Sequence, residues 1–259
     1  MIEKLLSVII TTYNRDLKII NRAVISVKNQ TYPWIEIILV DDNLNNSKLS
    51  ARIYAYCKKE NIIYIKQFGN QGACNARNLG AANSHGEYIA FLDDDDEWMP
   101  SKASEQVNTL KKGYGLVFSK GLKIYTKPNY IEKLYGNSVN FIQTPDFQDL
   151  LVKNYVGSTS QIMVTRECFY KVNGFDPKFL ARQDYDFCIR ISRYYKLYGI
   201  DHILFKHYIH SEYQISKDID KTIQGYKSLF HKYKKYYQKN YMAYINICCK
   251  ISKSYLHKG

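Results

Sequence analysis

The chain has 259 residues, enough for one large domain with a substantial core plus an appendage. Hydrophobic residues are 46% and charged residues 24%, so the chain reads as globular rather than disordered. No stretch approaches the ~20 apolar residues of a spanning helix, so any membrane contact is expected to be peripheral. The net charge of +13 is uneven: Lys221 to Gly259 holds nine Lys and no Asp, Glu or Arg, which leaves residues 1–220 at +4. The six cysteines form no C-x-x-C pair and suggest no zinc site; they read as reduced thiols of a cytoplasmic protein. The N-terminus lacks the basic-then-apolar pattern of a signal peptide. The 25 tyrosines are expected at half-buried positions where each hydroxyl finds a partner.

In chain order, Leu5 to Thr12 is a short, continuous β-branched run, as a strand buried on both faces should be. Asn14-Arg15-Asp16 breaks it, and Leu17 to Asn29 then has helical apolar spacing. Ile35 to Val40 is a second buried strand ending in Asp41-Asp42-Asn43. Leu49 to Lys59 reads as a helix and Ile62 to Lys66 as a third strand. Gly72 to Asn83 is small and Ala-rich, suited to a helix packed closely on a sheet. Tyr88 to Leu92 is a fourth strand and runs into Asp93-Asp94-Asp95-Asp96. The alternation implies parallel strands with helices on both faces. Beyond Pro100, Ser101 to Lys112 and Asp184 to Tyr195 read as helices, and Gly115 to Ser119 and Gln161 to Val164 as strands. From Asp218 onward the chain reads as Lys/Tyr-rich helix without turn signals. The organisation expected is a catalytic domain over 1–217, with a nucleotide-binding half (1–100) and an acceptor-side half (101–217), and a basic helical extension over 218–259.

In doubly wound sheets ligands bind beyond the carboxyl ends of the strands. Thr11 to Tyr13, Asp41 with Asp42, and the Asp93 run are therefore expected to converge on one crevice. Four adjacent carboxylates repel one another and resist desolvation, and a divalent cation relieves both. Mg²⁺ or Mn²⁺ favours carboxylate oxygens and keeps positions open for phosphates. The alternative, an acidic surface turn, is disfavoured by the strand-end position and by Trp98-Met99-Pro100. Asp42 suits a ribose hydroxyl or a pyrimidine N–H, or else a helix cap. Tyr13 is placed to stack on a base, with Thr11 at its edge. Arg77, in Gly69 to Gly80, suits phosphate or one of the aspartates; that stretch is not a G-x-G-x-x-G. Asp184, at an apparent helix start after the Gly174-Phe-Asp-Pro turn, is either a cap or a general base.

These segments resemble family 2 glycosyltransferases of the GT-A fold. The matching stretches are Val8-Ile-Ile-Thr-Thr-Tyr-Asn, Gln30-Thr-Tyr, Glu36-Ile-Ile-Leu-Val-Asp-Asp, Asn75-Ala-Arg-Asn-Leu-Gly, Gly86 through Trp98 and Gly174-Phe-Asp, in the family's order over roughly residues 5 to 195. The resemblance implies a Rossmann-like, doubly wound mixed sheet and an inverting transfer from a nucleotide-sugar, commonly a UDP-sugar. It implies Thr11, Tyr13 and Asp42 at the base, Asp93 and Asp94 near the ribose and diphosphate, and Asp95 on the metal as the last Asp of a D-x-D motif. Asp184 matches the catalytic base; the Glu that usually precedes it is here Gln183. Arg190 matches a downstream Arg, and His210 a His that some relatives keep near the diphosphate.

Alternatives from other classes are a metal-dependent nucleotidyltransferase, which lacks its Gly-rich triphosphate loop here, and a non-catalytic nucleotide- or nucleic-acid-binding relative. No nucleic-acid partner is expected, because the charge lies outside the crevice. The expected partners are the donor and a saccharide or lipid-linked saccharide acceptor. The basic segment 221–259 suits an anionic inner leaflet or a homodimer contact. The Lys, Asn, Ile and Tyr content fits an AT-rich bacterial genome, where surface polysaccharide is a natural product class.

Overall fold

The computed structural model describes residues 4–45, 47–125, 130–135, 141–209 and 218–258. Its first half is the expected alternation. Strands β1 (Leu6–Thr12), β2 (Ile35–Asp41), β3 (Ile63–Lys66) and β4 (Tyr88–Asp93) lie parallel in the order β3-β2-β1-β4. Helices α1 (Leu17–Lys28), α2 (Lys48–Lys59) and α3 (Ala73–Ala82) connect them. Asp16 and Ser47 start the first two by accepting the Lys18 and Leu49 amides. Val8, Ile9 and Ile10 are fully buried because successive side chains of β1 enter cores on opposite faces of the sheet. The close packing expected of α3 is present: a Cβ on Gly80 would lie 2.5 Å from Ile9 Cγ2.

After β4 the chain makes a tight turn into β5 (Asp96–Trp98), then α4 (Lys102–Leu110), β6 (Leu116–Tyr125) and β7 (Ile131–Leu134). Helix α5 (Phe147–Val152), a 3-10 turn (Thr159–Gln161), β8 (Met163–Thr165) and α6 (Arg166–Lys171) follow. Helix α7 (Gln183–Ile191) leads into the long strand β9 (Leu197–Ile209). The sheet continues from β4 as β8-β6-β9-β5, with β7 on β6. Strand β8 is antiparallel to β4 and β6, β9 is parallel to β6, and β5 is antiparallel to β9. The sheet is therefore mixed. Two residues separate β4 from β5 in the chain, yet three strands separate them in the sheet, so this half must curl to bring its far edge back to the β4 turn. Strand β6 shifts register against β9 around Lys120, and a Cβ on Gly121 would run into the Phe205 ring.

The C-terminal segment is helical as expected, but in three pieces: α8 (Ile219–Lys232), α9 (Lys234–Tyr237) and α10 (Tyr241–Leu256). The break before α10 is a cap, with Asn240 accepting the Ala243 amide. Leu229, Tyr233, Tyr237, Ala243 and Ile247 join the same hydrophobic cluster as Ile9, Phe91 and Phe187. Residue 217 thus marks a change of composition and not an edge of the core. Among the described residues no helix is long and apolar enough to cross a membrane, and all six cysteines are free thiols.

Candidate active site

The carboxyl ends of β1, β2 and β4 meet, as strand order requires, on a crevice of about 510 Å³. Its walls include Thr11, Tyr13, Asp42, Arg77, Asp93, Asp94, Asp95 and, from the opposite side, Asp184. Tyr13 is half exposed at the mouth. Asn14, left-handed at φ 48°, donates its amide to Asn43 Oδ1 at 2.7 Å and turns the chain so that Arg15 enters the crevice.

The acidic turn is held from several directions. Asp93 accepts from Arg77 Nη2 at 2.8 Å and from Thr159 Oγ1 at 3.1 Å, and its amide donates to Ser160 Oγ at 3.1 Å. Trp98, past the turn, donates its indole N–H to the Ser160 carbonyl at 3.0 Å. One residue of the 3-10 turn thereby pins both ends of the acidic run. Asp94 accepts from Thr12 Oγ1 at 2.6 Å and Arg15 Nε at 3.1 Å, and Asp95 from Arg15 Nη2 at 2.9 Å. Arg22 Nη2 donates to the Asp95 carbonyl at 2.6 Å. Burial raises the Asp94 carboxyl, against the pull of Arg15 and Thr12. Burial, then Asp96 and Asp94, raise Asp95. In both, burial outweighs the pull of Arg15.

Asp96 belongs to β5, and its Oδ1 meets His207 Nδ1 at 2.7 Å. Burial works to lower His207, but Asp96 outweighs it and raises the imidazole toward its charged form. His207 lines the crevice; His210, the histidine suggested by the sequence, lies outside the described residues. Arg15, His207 and Lys221 of α8 are crevice residues that sequence reasoning missed. Only Arg15 carried a signal, its position just beyond a strand end.

Asp42 Oδ1 accepts from Gln67 Nε2 at 2.5 Å and the Gln71 amide at 2.9 Å, and Oδ2 from the Gly72 amide at 2.9 Å. It orders the loop that enters α3 and keeps acceptor capacity on Oδ2. Asp41 is buried away from the crevice, accepting from Tyr64 Oη and the Asn43 amide. Arg77 is buried; its Nη2 holds Asp93, while Nη1 is without a hydrogen-bond partner.

Asp184 sits in the first turn of α7, where its Oδ1 accepts the Tyr185 amide at 2.8 Å. Burial raises its pKa, opposed by Arg182 and Arg77 and aided by Asp93. Arg182 caps the helix in the left-handed region, at φ 64°. Asn78 of α3 bonds both the amide and the carbonyl of Phe175, so the Asn75-to-Gly80 stretch fixes the turn that leads to this helix. Arg190 pairs with the buried Asp186 at 2.8 Å.

Among the described residues no three His, Cys, Asp or Glu already stand as a metal-binding group. The donor chemistry nevertheless fits a hard cation: Asp93, Asp94 and Asp95 offer carboxylate oxygens on one wall, where a cation would offset the cost that burial imposes on charged Asp94 and Asp95.

The curled mixed sheet with carboxylates at its switch point is the fold of the GT-A glycosyltransferases. The crystal structure of Staphylococcus aureus TarS residues 1–349 in complex with UDP-GlcNAc superposes with a TM-score of 0.65 at 13% identity, over 87% of this chain and 66% of that one. The profile of Glycosyl transferase family 2 matches residues 7–172. An uncharacterized glycosyltransferase of Methanocaldococcus jannaschii is 31% identical over 213 residues, covering 81% of this chain and 72% of its own. Escherichia coli WcaA, named for colanic acid biosynthesis, is 32% identical over 248 residues, covering 91% of this chain and 82% of its own. Other relatives are longer: the chain spans 62% of a Haemophilus influenzae glycosyltransferase and 35% of one from Rickettsia conorii. The chain belongs to glycosyl transferase family 2, and it is a transferase.

Proposed function

We propose that this transferase moves a sugar from a UDP-sugar to an acceptor hydroxyl, with inversion, during synthesis of a bacterial surface polysaccharide. The observation that carries the reading is the facing of two acidic sites across one crevice: Asp93 to Asp95 on the β4 wall and Asp184 on the α7 wall. The likeness to a fold solved with UDP-GlcNAc supports the donor class, and the likeness to WcaA supports the product class.

Tyr13, Thr11 and Asp42 hold the base. Asp93 and Asp94 lie near the ribose and diphosphate, with Arg77 on the same wall of the crevice. Asp95 holds Mn²⁺ or Mg²⁺; when bound, the ion neutralises charge on the diphosphate leaving group. Asp184 takes the acceptor proton. The freed oxygen forms a bond to the anomeric carbon as the bond to the nucleoside diphosphate breaks on the opposite face. A carboxyl raised by burial is a better base than an ordinary aspartate, and Arg182 and the Tyr185 amide oppose part of that rise. Positioning and leaving-group stabilisation supply the remaining acceleration.

Calorimetry with UDP, GDP and CMP, with Mn²⁺ and with chelator, tests the donor site: metal-dependent UDP binding is expected, and no nucleotide binding overturns the reading. NMR of the product anomer tests the mechanism; retention of configuration rules it out. The residues after 217 are proposed to meet an anionic membrane surface peripherally, which liposome co-sedimentation of the full chain checks.

A further inference from the structure

Close to Asp184 in the chain, the start of α7 and α10 each bring a cation to Tyr226 of α8, and α5 packs on α10. The Arg182 guanidinium lies 4.6 Å from the Tyr226 ring centre, and Lys250 Nζ lies 5.6 Å from the same ring. Lys153 Nζ stands 5.5 Å from the Tyr155 ring centre. Burial, then Arg182, Lys153 and Lys253, lower Lys250. Lys253 follows Lys250 by three residues on α10, on the same helix face. None of the four forms an ion pair with a carboxylate among the described residues, and Arg182 Nε is buried without a hydrogen-bond partner. Of the four, Arg182 acts on Asp184. Three other lysines of the C-terminal helices are matched: Lys221 with Asp218, Lys232 with Asp176 and Asp186, and Lys258 with Asp220.

The arrangement is built and not a loose surface patch. A Cβ on Gly225 would lie 2.7 Å from the Ala181 carbonyl oxygen and 3.0 Å from Arg182 Cγ, so α8 presses directly on the Arg182 loop. Arg182 is held left-handed, a conformation that costs a non-glycine residue about 1 kcal/mol or more. The tyrosine faces offset part of the repulsion. Arg182, Lys153 and Lys250 are half-buried and Lys253 is exposed beside them, and half-buried cations without a counter-charge remain costly until an anion arrives.

We propose that Arg182, Lys153, Lys250 and Lys253 form an anion subsite, contiguous with the crevice on its Asp184 side, that binds a phosphate or diphosphate group carried by the acceptor. This rests on the reading that the Asp184 side receives the acceptor. The donor's own diphosphate is accounted for by Arg77 and the acidic turn on the opposite wall. An arginine fork with flexible ammonium groups beside it suits phosphate oxygens. The phosphate comes from one of two sources, the headgroup of a lipid-linked saccharide or a phosphate within a soluble acceptor.

The test is calorimetric titration of inorganic pyrophosphate into the full chain, with and without saturating UDP and Mn²⁺. Lys250→Gln with Lys253→Gln is expected to weaken pyrophosphate at least about tenfold while UDP affinity stays unchanged. Lys153→Gln, on a different element, is expected to weaken it several-fold, which guards against misfolding of one variant. The control Lys234→Gln with Lys235→Gln removes two exposed charges from the same segment and should leave pyrophosphate binding intact. No loss in the cluster variants, or an equal loss in the control, overturns the subsite. If no protein binds UDP but the pyrophosphate pattern holds, the donor reading fails and the subsite stands. Phosphatidylcholine vesicles with and without a polyprenyl diphosphate separate the sources: capture that depends on Lys250 and Lys253 assigns the lipid headgroup, and pyrophosphate binding without capture assigns the soluble acceptor.

Discussion

The two walls of the crevice balance charge in opposite ways. On the β4 wall each acidic residue of the turn has a cation or imidazole partner: Asp93 with Arg77, Asp94 and Asp95 with Arg15, Asp96 with His207. On the α7 wall Asp184 stands beside Arg182, which forms no ion pair with a carboxylate among the described residues. The first wall is thus organised before any ligand binds, around carboxylates whose burial opposes their charge. The second holds a single base and one arginine at the crevice. Arg182 opposes the rise that burial imposes on that base. The difference also lies in provenance. The β4 wall comes from strands joined by short connections, whereas the α7 wall is braced by helices from the last forty or so residues of the chain.

The largest expected effect tests that bracing. Deleting residues 218–258 exposes the surfaces that bury Leu229, Tyr233, Tyr237, Ala243 and Ile247. At ~1.5–3 kcal/mol for each large side chain, the loss is on the order of 10 kcal/mol, comparable to the whole stability of a domain. The truncated chain should lose cooperative unfolding in denaturant melts; a truncation that melts like the full chain would falsify the view that the tail is core. It follows that truncation is a poor test of membrane contact, and that point substitutions on the exposed lysines are the right one. Next in size, Asp184→Asn should lower kcat about 10²- to 10⁴-fold with UDP affinity unchanged. Near-normal turnover would remove Asp184 from the mechanism. Asp95→Ala should then weaken metal-dependent UDP binding by about tenfold or more in calorimetry, while metal-free binding barely moves. If both conditions weaken alike, Asp95 acts on the nucleotide itself and not through a cation.

The two walls also differ in how much the sequence could say about them. Parallel strands buried on both faces leave continuous apolar runs, so β1 to β4 are plain in the chain, and the strand-end rule brings Thr11, Asp42 and Asp93 to Asp95 together. Arg15 was hidden because its direction depends on the left-handed turn at Asn14, which only the bond to Asn43 fixes. Strand β9 was hidden for another reason. LYGIDHILFKHYI has neither strict alternation nor a continuous apolar run, because it carries a register shift on one side and pairs with both β6 and β5. His207 could not be placed until β9 was. The C-terminal segment shows its charge in composition, but its packing depends on buried tyrosines that a polarity count scores as neutral. The tyrosine expectation holds at half-buried Tyr64, bonded to Asp41, whereas Tyr185 and Tyr233, bonded to Leu150 and Asp186, are fully buried and the buried Tyr237 hydroxyl has no hydrogen-bond partner.

The pH dependence of turnover separates the walls further. A general base must be deprotonated, and Asp184 is raised by burial, so its protonated, inactive form persists to higher pH than for an ordinary aspartate. The acid limb of kcat under saturating donor and acceptor should fall above the usual value of about 4 and should shift in Arg182→Gln toward still higher pH, because the cation that opposes burial is gone. An acid limb at or below about 4 would mean that Asp184 is solvated in the working complex.

The smallest effect concerns the joint between tail and base. Asp186, buried two residues after Asp184, accepts from Tyr233 Oη at 2.8 Å and pairs with Lys232 and Arg190. Tyr233→Phe removes one hydrogen bond to a buried carboxylate that keeps two cationic partners, so the cost should be about 1–2 kcal/mol by denaturant melts. The ring stays, so the core stays filled. If the helices only fill space, kcat should follow stability and remain near normal at a temperature where the protein is folded. If they also position α7, kcat should fall several-fold while UDP affinity holds, because the shift would be felt at Asp184 and not on the β4 wall.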